Sequence, residues 1–479
     1  MRFLATLVVT LFVFAEASAA ERPPNIVFVF ADDLGINDLG CYGRKDQQTP
    51  NLDRLAVQGT RFTSAYCAQP ICSPSRAAVM TGKTPARLHL TTFLPGRPDC
   101  VSQKLLHPKI EMQLLLEEVT IAESLQSAGY ATACVGKWHL GGQGFGPKEQ
   151  GFDFVHVGKA NTPPSDLEGG KGEYDLTAAA EKFITDNRDR PFFLYMPHNN
   201  PHVPLAAKAE LVEKYKDSFN PIYAAMIETL DDSVGRLMSK LDELKLTGNT
   251  IFVFSSDNGG LHVQELPHTP ATHNTPYRAG KGYLYEGGLR IPLIVRWPGV
   301  VKAGRVVDSP VINTDFVPTL LELAGIVVGT AYDGVSFANL LKGGDAQPRP
   351  FFWHFPHYTN QGGRPAGAVR EGNWKLIAYY DTGRVELFDL SDDIGERHDI
   401  AAEHVDLVSK LHDKLKAWRK SIGAQENTPN PDFDLAWFQK LYVDFNPSLV
   451  PLKPTAVEMA KSFEVWREGM DAVLPKAKK

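Results

Sequence analysis

Two acidic groups stand where chemistry is readily done. Asp32 and Asp33 follow the apolar run 26–31, and Asp257-Asn258-Gly259-Gly260 follows the run 251–254. Short apolar runs that end in polar residues suit buried strands of a parallel sheet, so both groups fall at strand C-terminal ends, where the ligand sites of such sheets gather. Three carboxylates and an amide oxygen make a donor set suited to a hard cation such as calcium or magnesium. Taken singly, adjacent acids after a strand are as readily turn residues, and Asp-Asn-Gly-Gly is a favourable turn. Cys72-Ser73-Pro74-Ser75-Arg76 adds a nucleophile. Pro74 suits the first turn of a helix, which puts residue 72 just ahead of a helix N-terminus, a place that attracts anions and activates a thiol. The plainer alternative is a structural cysteine beside a helix start. Lys137 and His139 follow the run 131–135 with Trp138 between them. An i, i+2 pair that extends a strand points to one face, so a cation and an imidazole address one ligand. A solvated lysine beside a packed histidine is the other reading.

The cysteine segment runs on through residues 77–80 to Thr81-Gly82. In that spacing it resembles the signature of the type I sulfatases, C-x-P-S-R with T-G after four further residues. The resemblance extends from Pro24 to about residue 400, more loosely toward the C-terminal end. It implies that a maturation enzyme oxidises Cys72 to formylglycine while the chain is unfolded. It also implies that Asp32, Asp33, Asp257 and Asn258, with the oxygen of residue 72, hold one calcium ion, magnesium being the alternative. Gly136-Lys137-Trp138-His139 resembles the family's G-K-W-H, whose lysine binds sulfate and the formylglycine hydrate and whose histidine supports proton removal from that hydrate. His202, followed by Val203-Pro204, resembles the family's H-x-P histidine, which contacts the scissile oxygen; His198 competes for that role but lacks the proline. Lys281, followed by Glu286-Gly287-Gly288, resembles the lysine of G-K-x-x-x-x-E-G-G and would be a second sulfate clamp.

Hydrolysis of sulfate esters is the reaction this set implies. One hydroxyl of the hydrated aldehyde ionises more easily beside the metal and Arg76 and attacks sulfur. Lys137, Lys281 and the metal offset the developing negative charge, while His202, with Lys281, protonates the departing alcohol. His139 then takes the second hydroxyl's proton, so that sulfate is expelled and the aldehyde returns. A phosphonate monoester hydrolase or phosphodiesterase of the same superfamily is the rival. A non-catalytic sulfated-glycan binding protein is the reading from another class, against which the intact Cys72, Arg76, Lys137, His139 and Asp257 count.

These residues need a frame. Apolar runs at 26–31, 131–135, 192–196, 251–254 and 292–295 read as buried strands. Apolar residues at Tyr223, Met226, Ile227, Leu230, Val234, Leu237, Met238 and Leu241 have helical spacing, and Thr120 with Glu123 forms a capping box ahead of another helix. Strands alternating with helices predict an α/β fold. With the family resemblance this becomes a large alkaline-phosphatase-like α/β/α sandwich followed by a smaller C-terminal antiparallel sheet with a helix. The small sheet is read from 368–370, 374–380 and 384–388, its helix from 405–422, and the tail after Gln425 as wrapping the surface. The expected organisation is a signal peptide over 1–20, a catalytic domain over 21–345 and the C-terminal subdomain over 346–479.

Composition narrows the partners. Arg2, the apolar run 3–14 and Ala17-Ser18-Ala19 make an export signal too short to span a bilayer, so the product is expected to be secreted or periplasmic and free of the membrane after cleavage. A net charge of −6 argues against nucleic acid, so an anionic substrate must meet locally placed cations. Beside Cys72, four cysteines (Cys41, Cys67, Cys100, Cys134) leave disulfides and buried free thiols equally open. The substrate expected is a sulfated carbohydrate or an aryl sulfate. In residues 353–358, with Arg364 beyond, the aromatics suit packing between domains, whereas His354, His357 and Arg364 are read as lining the pocket and contacting the sugar.

Overall fold

The computed structural model describes residues 22–327 and 332–475; the export signal expected over 1–20 lies outside them. Among the described residues no helix is long and apolar enough to cross a membrane. Ten strands precede residue 313: β1 (Asn25–Ala31), β2 (Thr60–Tyr66), β3 (Leu105–Leu106), β4 (Ala131–Val135), β5 (Phe154–His156), β6 (Phe192–Pro197), β7 (Thr250–Ser256), β8 (Arg290–Arg296), β9 (Arg305–Val307) and β10 (Val311–Ile312). All but β3 form one nine-stranded sheet in the order β10-β2-β8-β7-β1-β6-β4-β5, with β9 beside β2. Around β1 the sheet is parallel, and Ala31 of β1 stands opposite Ser256 of β7. The run at 292–295 is a strand as expected, but β8 is antiparallel to both neighbours, so the sheet is mixed.

Alternation along β1 divides the core. Ile26, Phe28 and Phe30 enter one apolar cluster with the helices Cys72–Thr81, Ile121–Ser127 and Phe316–Leu323. Val27, Val29 and Ala31 enter the other with the helices Glu173–Asp186 and Pro221–Glu243. Strands buried on both faces are continuously apolar, which made β1, β4, β6 and β7 legible. Each fully buried Phe or Leu contributes about 1.5–3 kcal/mol. The helix Pro221–Glu243 begins at a proline capped by the Asn220 side chain, which accepts from Tyr223 N–H. Its apolar stripe is the predicted one. The capping box at Thr120 is likewise formed, with Thr120 and Glu123 each accepting the other's backbone N–H.

The second sheet is antiparallel in the order β11 (Phe351–Phe355), β12 (Ala366–Glu371), β13 (Trp374–Tyr379), β14 (Val385–Asp389). Its edge strand β11 was not expected, and it contains Trp353, His354 and Phe355. The helix Val405–Ser421 packs Leu411 and Leu415 on Val369, Leu376 and Leu387, while Trp353, Phe355, Ala368, Ile377 and Phe388 join the core of the large domain. A buried ion cluster keys the two sheets together. Lys375 Nζ lies 2.8 Å from both Glu286 and Glu396, Glu286 also pairs with Arg290, and Tyr66 donates to Glu286. The tail is helical in part, with helices Leu435–Tyr442, Ala456–Lys461 and Glu464–Ala472 returning Phe438, Leu441, Phe463, Trp466 and Met470 to the large domain's core. All five cysteines are free thiols.

Candidate active site

The register of β1 against β7 brings the two acidic groups together at the carboxyl ends of these central strands. Asp33, in a left-handed backbone conformation (φ 64°), donates its N–H to Asp257 Oδ1 at 3.0 Å and accepts from Asn258 Nδ2 at 2.8 Å. Cys72 opens the helix Cys72–Thr81 as its first residue, one place further in than its proline implied, with Sγ 3.8 Å from Asp33 Oδ1. One turn on, Arg76 is wholly buried. It bonds Asp257 Oδ2 through Nε and Nη2 (3.1 and 2.8 Å) and lies 3.2 Å from Asp32 Oδ1.

The remaining cations come from loops. Lys137 Nζ donates to Asp32 Oδ2 at 2.6 Å. The chain can make this turn because a Cβ at Gly136 would fall 1.8 Å from the Pro197 carbonyl oxygen, so only glycine fits. Lys281 Nζ donates to Asp33 Oδ2 at 2.7 Å and stands 3.1 Å from His202 Nε2. Its loop lies against residues 257–260 so closely that a Cβ at Gly259 would meet Gly287 O at 1.8 Å. The second domain holds the loop from outside: Arg278 donates to the Glu396 carbonyl (2.9 Å) and to Ser448 Oγ (3.1 Å), and Glu286 N–H donates to the Glu396 carboxylate (2.6 Å).

Electrostatics differ among the three acids. Burial alone would raise Asp32, but Lys137, His202, Arg76 and Lys281 hold it well below the carboxylate range; Asp33 is lowered too, chiefly by Lys281 and His202 against the same burial. Burial pushes Asp257 the other way, up to about 7 despite Arg76, with Asp32 and Asp33 adding repulsion. A cation among them would relieve that repulsion. Asp32 Oδ1 and Asn258 Oδ1 are buried without hydrogen-bond partners, and donor atoms of Asp32, Asp33, Cys72 and His202 lie within 4.8 Å of one another. An oxygen-rich group with unspent lone pairs fits a hard divalent ion. The thiol of Cys72 departs from expectation: burial pushes it up, Asp257 and Asp33 add to the shift, and Lys137 with Lys281 recovers only part. An unmodified Cys72 is therefore a poor nucleophile here.

Of the three histidines, His202 faces the cluster. Its Nδ1 donates to Val203 O (2.5 Å), leaving Nε2 as the acceptor toward Lys281 and 3.5 Å from Asp33. Burial, with Lys281 and Lys137, pushes it down to about 3. His198, the competitor, is fully buried behind the turn and paired with Glu173. His139 is not on a strand extension with Lys137. The chain passes through a left-handed conformation there (φ 58°), Nε2 faces Leu94 O at 2.9 Å, and Nδ1 is buried without a partner. Burial and Lys137 lower it to about 4, so it is a neutral base.

The residues assigned to a sugar lie elsewhere. His354 is 2% exposed, with its ring nitrogens facing Tyr380 OH and Gln425 O (2.8 Å each). His357 is 1% exposed, with Nε2 at 2.8 Å from Thr91 Oγ1. Arg364 pairs with Asp381 and, with Tyr283, Tyr379 and Tyr442, lines a cavity of about 290 Å³. Among the described residues no hydrogen bond or ion pair joins these three to the acid cluster. Two buried groups had escaped notice: Lys171, which donates to His202 O (2.9 Å) and Pro204 O (3.2 Å), and Glu173, which accepts from Asn199 and Asn200 N–H (2.9 and 3.0 Å). The run Gly169-Gly170-Lys171-Gly172 was the signal available, since glycines so placed mark a left-handed path.

Known proteins resemble this chain in sequence and fold. The family described as Sulfatase matches residues 24–326, and that described as N-sulphoglucosamine sulphohydrolase, C-terminal, matches residues 279–421. Human arylsulfatase A is 33% identical, over 81% of this chain and 85% of its own length. The N-acetylgalactosamine-6-O-sulfatase of Bacteroides thetaiotaomicron is 30% identical, over 83% and 93%. A crystal structure of Ps i-CgsB in complex with k-i-k-neocarrahexaose aligns with a TM-score of 0.71 at 31% identity, covering 83% of this chain and 93% of that one.

Proposed function

The chain belongs to the sulfatase family, and from that premise we propose that it removes sulfate from a sulfated carbohydrate, using a formylglycine made from Cys72 and one bound calcium ion. The observation that carries this reading is the convergence of Arg76, Lys137, Lys281 and His202 on Asp32, Asp33 and Asp257 at the N-terminus of the helix that Cys72 opens. A cation held by Asp32, Asp33, Asp257 and Asn258 supplies polarisation, and the formylglycine, as its hydrate, supplies the attacking oxygen and the exit route for sulfate.

The chain's own side chains do the rest. Lys137 and Lys281 are poised to release Asp32 and Asp33 to the cation and turn their ammonium groups to the sulfate oxygens. Arg76 offsets part of the burial that raises Asp257, and a cation beside it would complete its ionisation. His202 is neutral in the free enzyme, and the charge of a bound sulfate opposes the two lysines that depress it. The proton shared between Lys281 Nζ and His202 Nε2 then reaches the departing alcohol oxygen. His139 Nδ1, unspent and basic, accepts the proton that must leave residue 72 for sulfate to be expelled.

Carbohydrate is favoured by the relatives named N-acetylgalactosamine-6-sulfatase and by the neocarrahexaose-bound structure, while arylsulfatase A and steryl-sulfatase keep other esters as the second reading. Arg364 and, behind it, His354 and His357 are our candidates for the sugar side. Export rests on the N-terminal run and on a motif read by a maturation enzyme in unfolded chains; Cys72 is only 2% exposed once folded. Mass spectrometry of tryptic peptide 62–76 from active enzyme tests the chemistry: formylglycine at position 72 is expected, and full activity with unmodified cysteine overturns it. Turnover on position-defined sulfated sugars against phosphate diesters tests the class, with preference for the diesters overturning it.

A further inference from the structure

Resting on His202 as the group that protonates the departing oxygen, we propose that Lys171 is a positioning residue for His202, its buried ammonium fixing the imidazole against Lys281 and Asp33. Lys171 is 2% exposed, and both acceptors found for its Nζ are backbone carbonyls, those of His202 and Pro204. A buried ammonium bonded only to neutral groups is costly, and an apolar side chain would fill the space at less cost. The backbone adds to that cost. Lys171 occupies the left-handed region (φ 54°) between Gly170 and Gly172, a conformation disfavoured for a side chain of this size. What the arrangement achieves is a two-sided grip. Lys171 takes the carbonyls of the turn that carries His202, while its own carbonyl accepts from the Asn199 side chain (3.1 Å). Two residues on, the fully buried Glu173 takes the amides of Asn199 and Asn200 and pairs with His198. A cation on the carbonyls and an anion on the amides leave the turn one position. The imidazole follows, because its Nδ1 is tied to Val203 O within the same turn.

A merely structural lysine and a positioning one differ in how the loss depends on the leaving group. Only a poor leaving group needs the proton as it departs. The experiment measures kcat/KM of the matured full-length enzyme on aryl sulfates running from nitrophenyl to unsubstituted phenyl, for wild type, Lys171→Met and His202→Ala. For Lys171→Met the loss should grow along the series to about tenfold to a hundredfold on phenyl sulfate, a part of what a general acid contributes. It should parallel, at smaller size, the trend of His202→Ala. An equal loss on every substrate, or none, overturns the proposal while leaving the acid in place. A flat response of His202→Ala removes the acid itself, and the proposal with it. Should Lys171→Met fail to fold, as judged by circular dichroism, Glu173→Gln decides on the same series: a loss growing toward phenyl sulfate supports the grip, and a uniform loss or none overturns it.

Discussion

Two clusters of buried charge lie within one chain, and they are used in opposite ways. At the carboxyl ends of β1 and β7, Asp32, Asp33 and Asp257 meet Arg76, Lys137 and Lys281, yet Asn258 Oδ1 has no partner and Asp32 Oδ1 only the Arg76 guanidinium at 3.2 Å, much as Glu396 Oε1 in the second cluster has only Lys375. Between the two sheets Glu286 and Glu396 meet Lys375 and Arg290, with Tyr66 and the Glu286 amide occupying further carboxylate oxygens. Burying ions costs several kcal/mol each, so each cluster needs a return. In the second the return is docking, because its charges are matched to one another. In the first, on the proposed reading, the return is a bound cation that takes up the unpartnered amide oxygen of Asn258 and relieves the repulsion among the acids.

The sharpest way to break the comparison is to remove the reactive group from the first cluster alone. Cys72→Ala should lower turnover by on the order of a millionfold, the scale seen when a nucleophile is deleted, while thermal melting shows the fold intact; residual activity near wild type would sink the assignment. Chelation comes next. Stripping the metal should reduce activity by roughly a hundredfold or more and calcium should restore it, whereas stoichiometric zinc by metal analysis, or undiminished activity in metal-free protein, would count against the oxygen set. In the second cluster Lys375→Met leaves Glu396 without its cation and Glu286 with Arg290 alone. It should destabilise by about 3–5 kcal/mol, read as a lowered midpoint in denaturant, with activity falling only as the protein unfolds.

The second cluster also carries a pH signature. Burial holds Glu396 up at about 7 from 4.5 despite Lys375, so the folded chain keeps a proton that the unfolded chain has released. The contribution of Glu396 to stability therefore falls as pH rises from about 4.5 to about 7, against the opposite contribution of His139, His202, His262, His273 and His354, which burial lowers and which take up protons only on unfolding. Glu286 is shifted the other way by Lys375 and Arg290 against its burial, so its own contribution is a rise of stability confined to the lower end of that window, near its ordinary value of 4.5. Melting of calcium-loaded protein should therefore show stability climbing more steeply with pH across that window for Glu396→Gln than for wild type; identical slopes would refute the assignment. The smallest effect concerns Arg364, outside both clusters. Arg364→Ala should lower kcat/KM on the true glycan by about tenfold, equivalent to ~1.4 kcal/mol, with nitrophenyl sulfate nearly unaffected; an equal loss on both would mean damage to the fold.

Much of the first cluster was legible because its residues sit in short runs after strands buried on both faces. The apolar runs place Asp32, Asp33, Asp257 and Asn258 at strand ends, whereas reading them as metal ligands rather than turn residues needed the resemblance carried by the Cys72 segment. β2 was not legible, since Arg61 and Thr63 face partly outward and break its apolar run. Neither was the antiparallel direction of β8, which a run of apolar residues does not encode. The state of the Cys72 thiol depends on burial by distant segments, so the helix N-terminus alone misled. His354 and His357 look unpartnered in sequence, yet Tyr380, Gln425 and Thr91 reach them from far along the chain. Lys171 and Glu173 act on a turn some thirty residues on, and only the glycines around Lys171 hinted at it.

The hold of the second domain on the Lys281 loop also sets a timetable. Arg278 reaches Ser448, 170 residues further along the chain, so at synthesis rates of about 5–20 residues per second the anchor emerges roughly ten to thirty seconds after the loop. A growing chain can gather its acids at the carboxyl ends of β1 and β7 well before the second sulfate clamp is locked. On the proposed roles, full catalytic competence thus waits for the segment around Ser448, and a product terminated before it would carry Asp32, Asp33 and Asp257 without that anchor on the Lys281 loop.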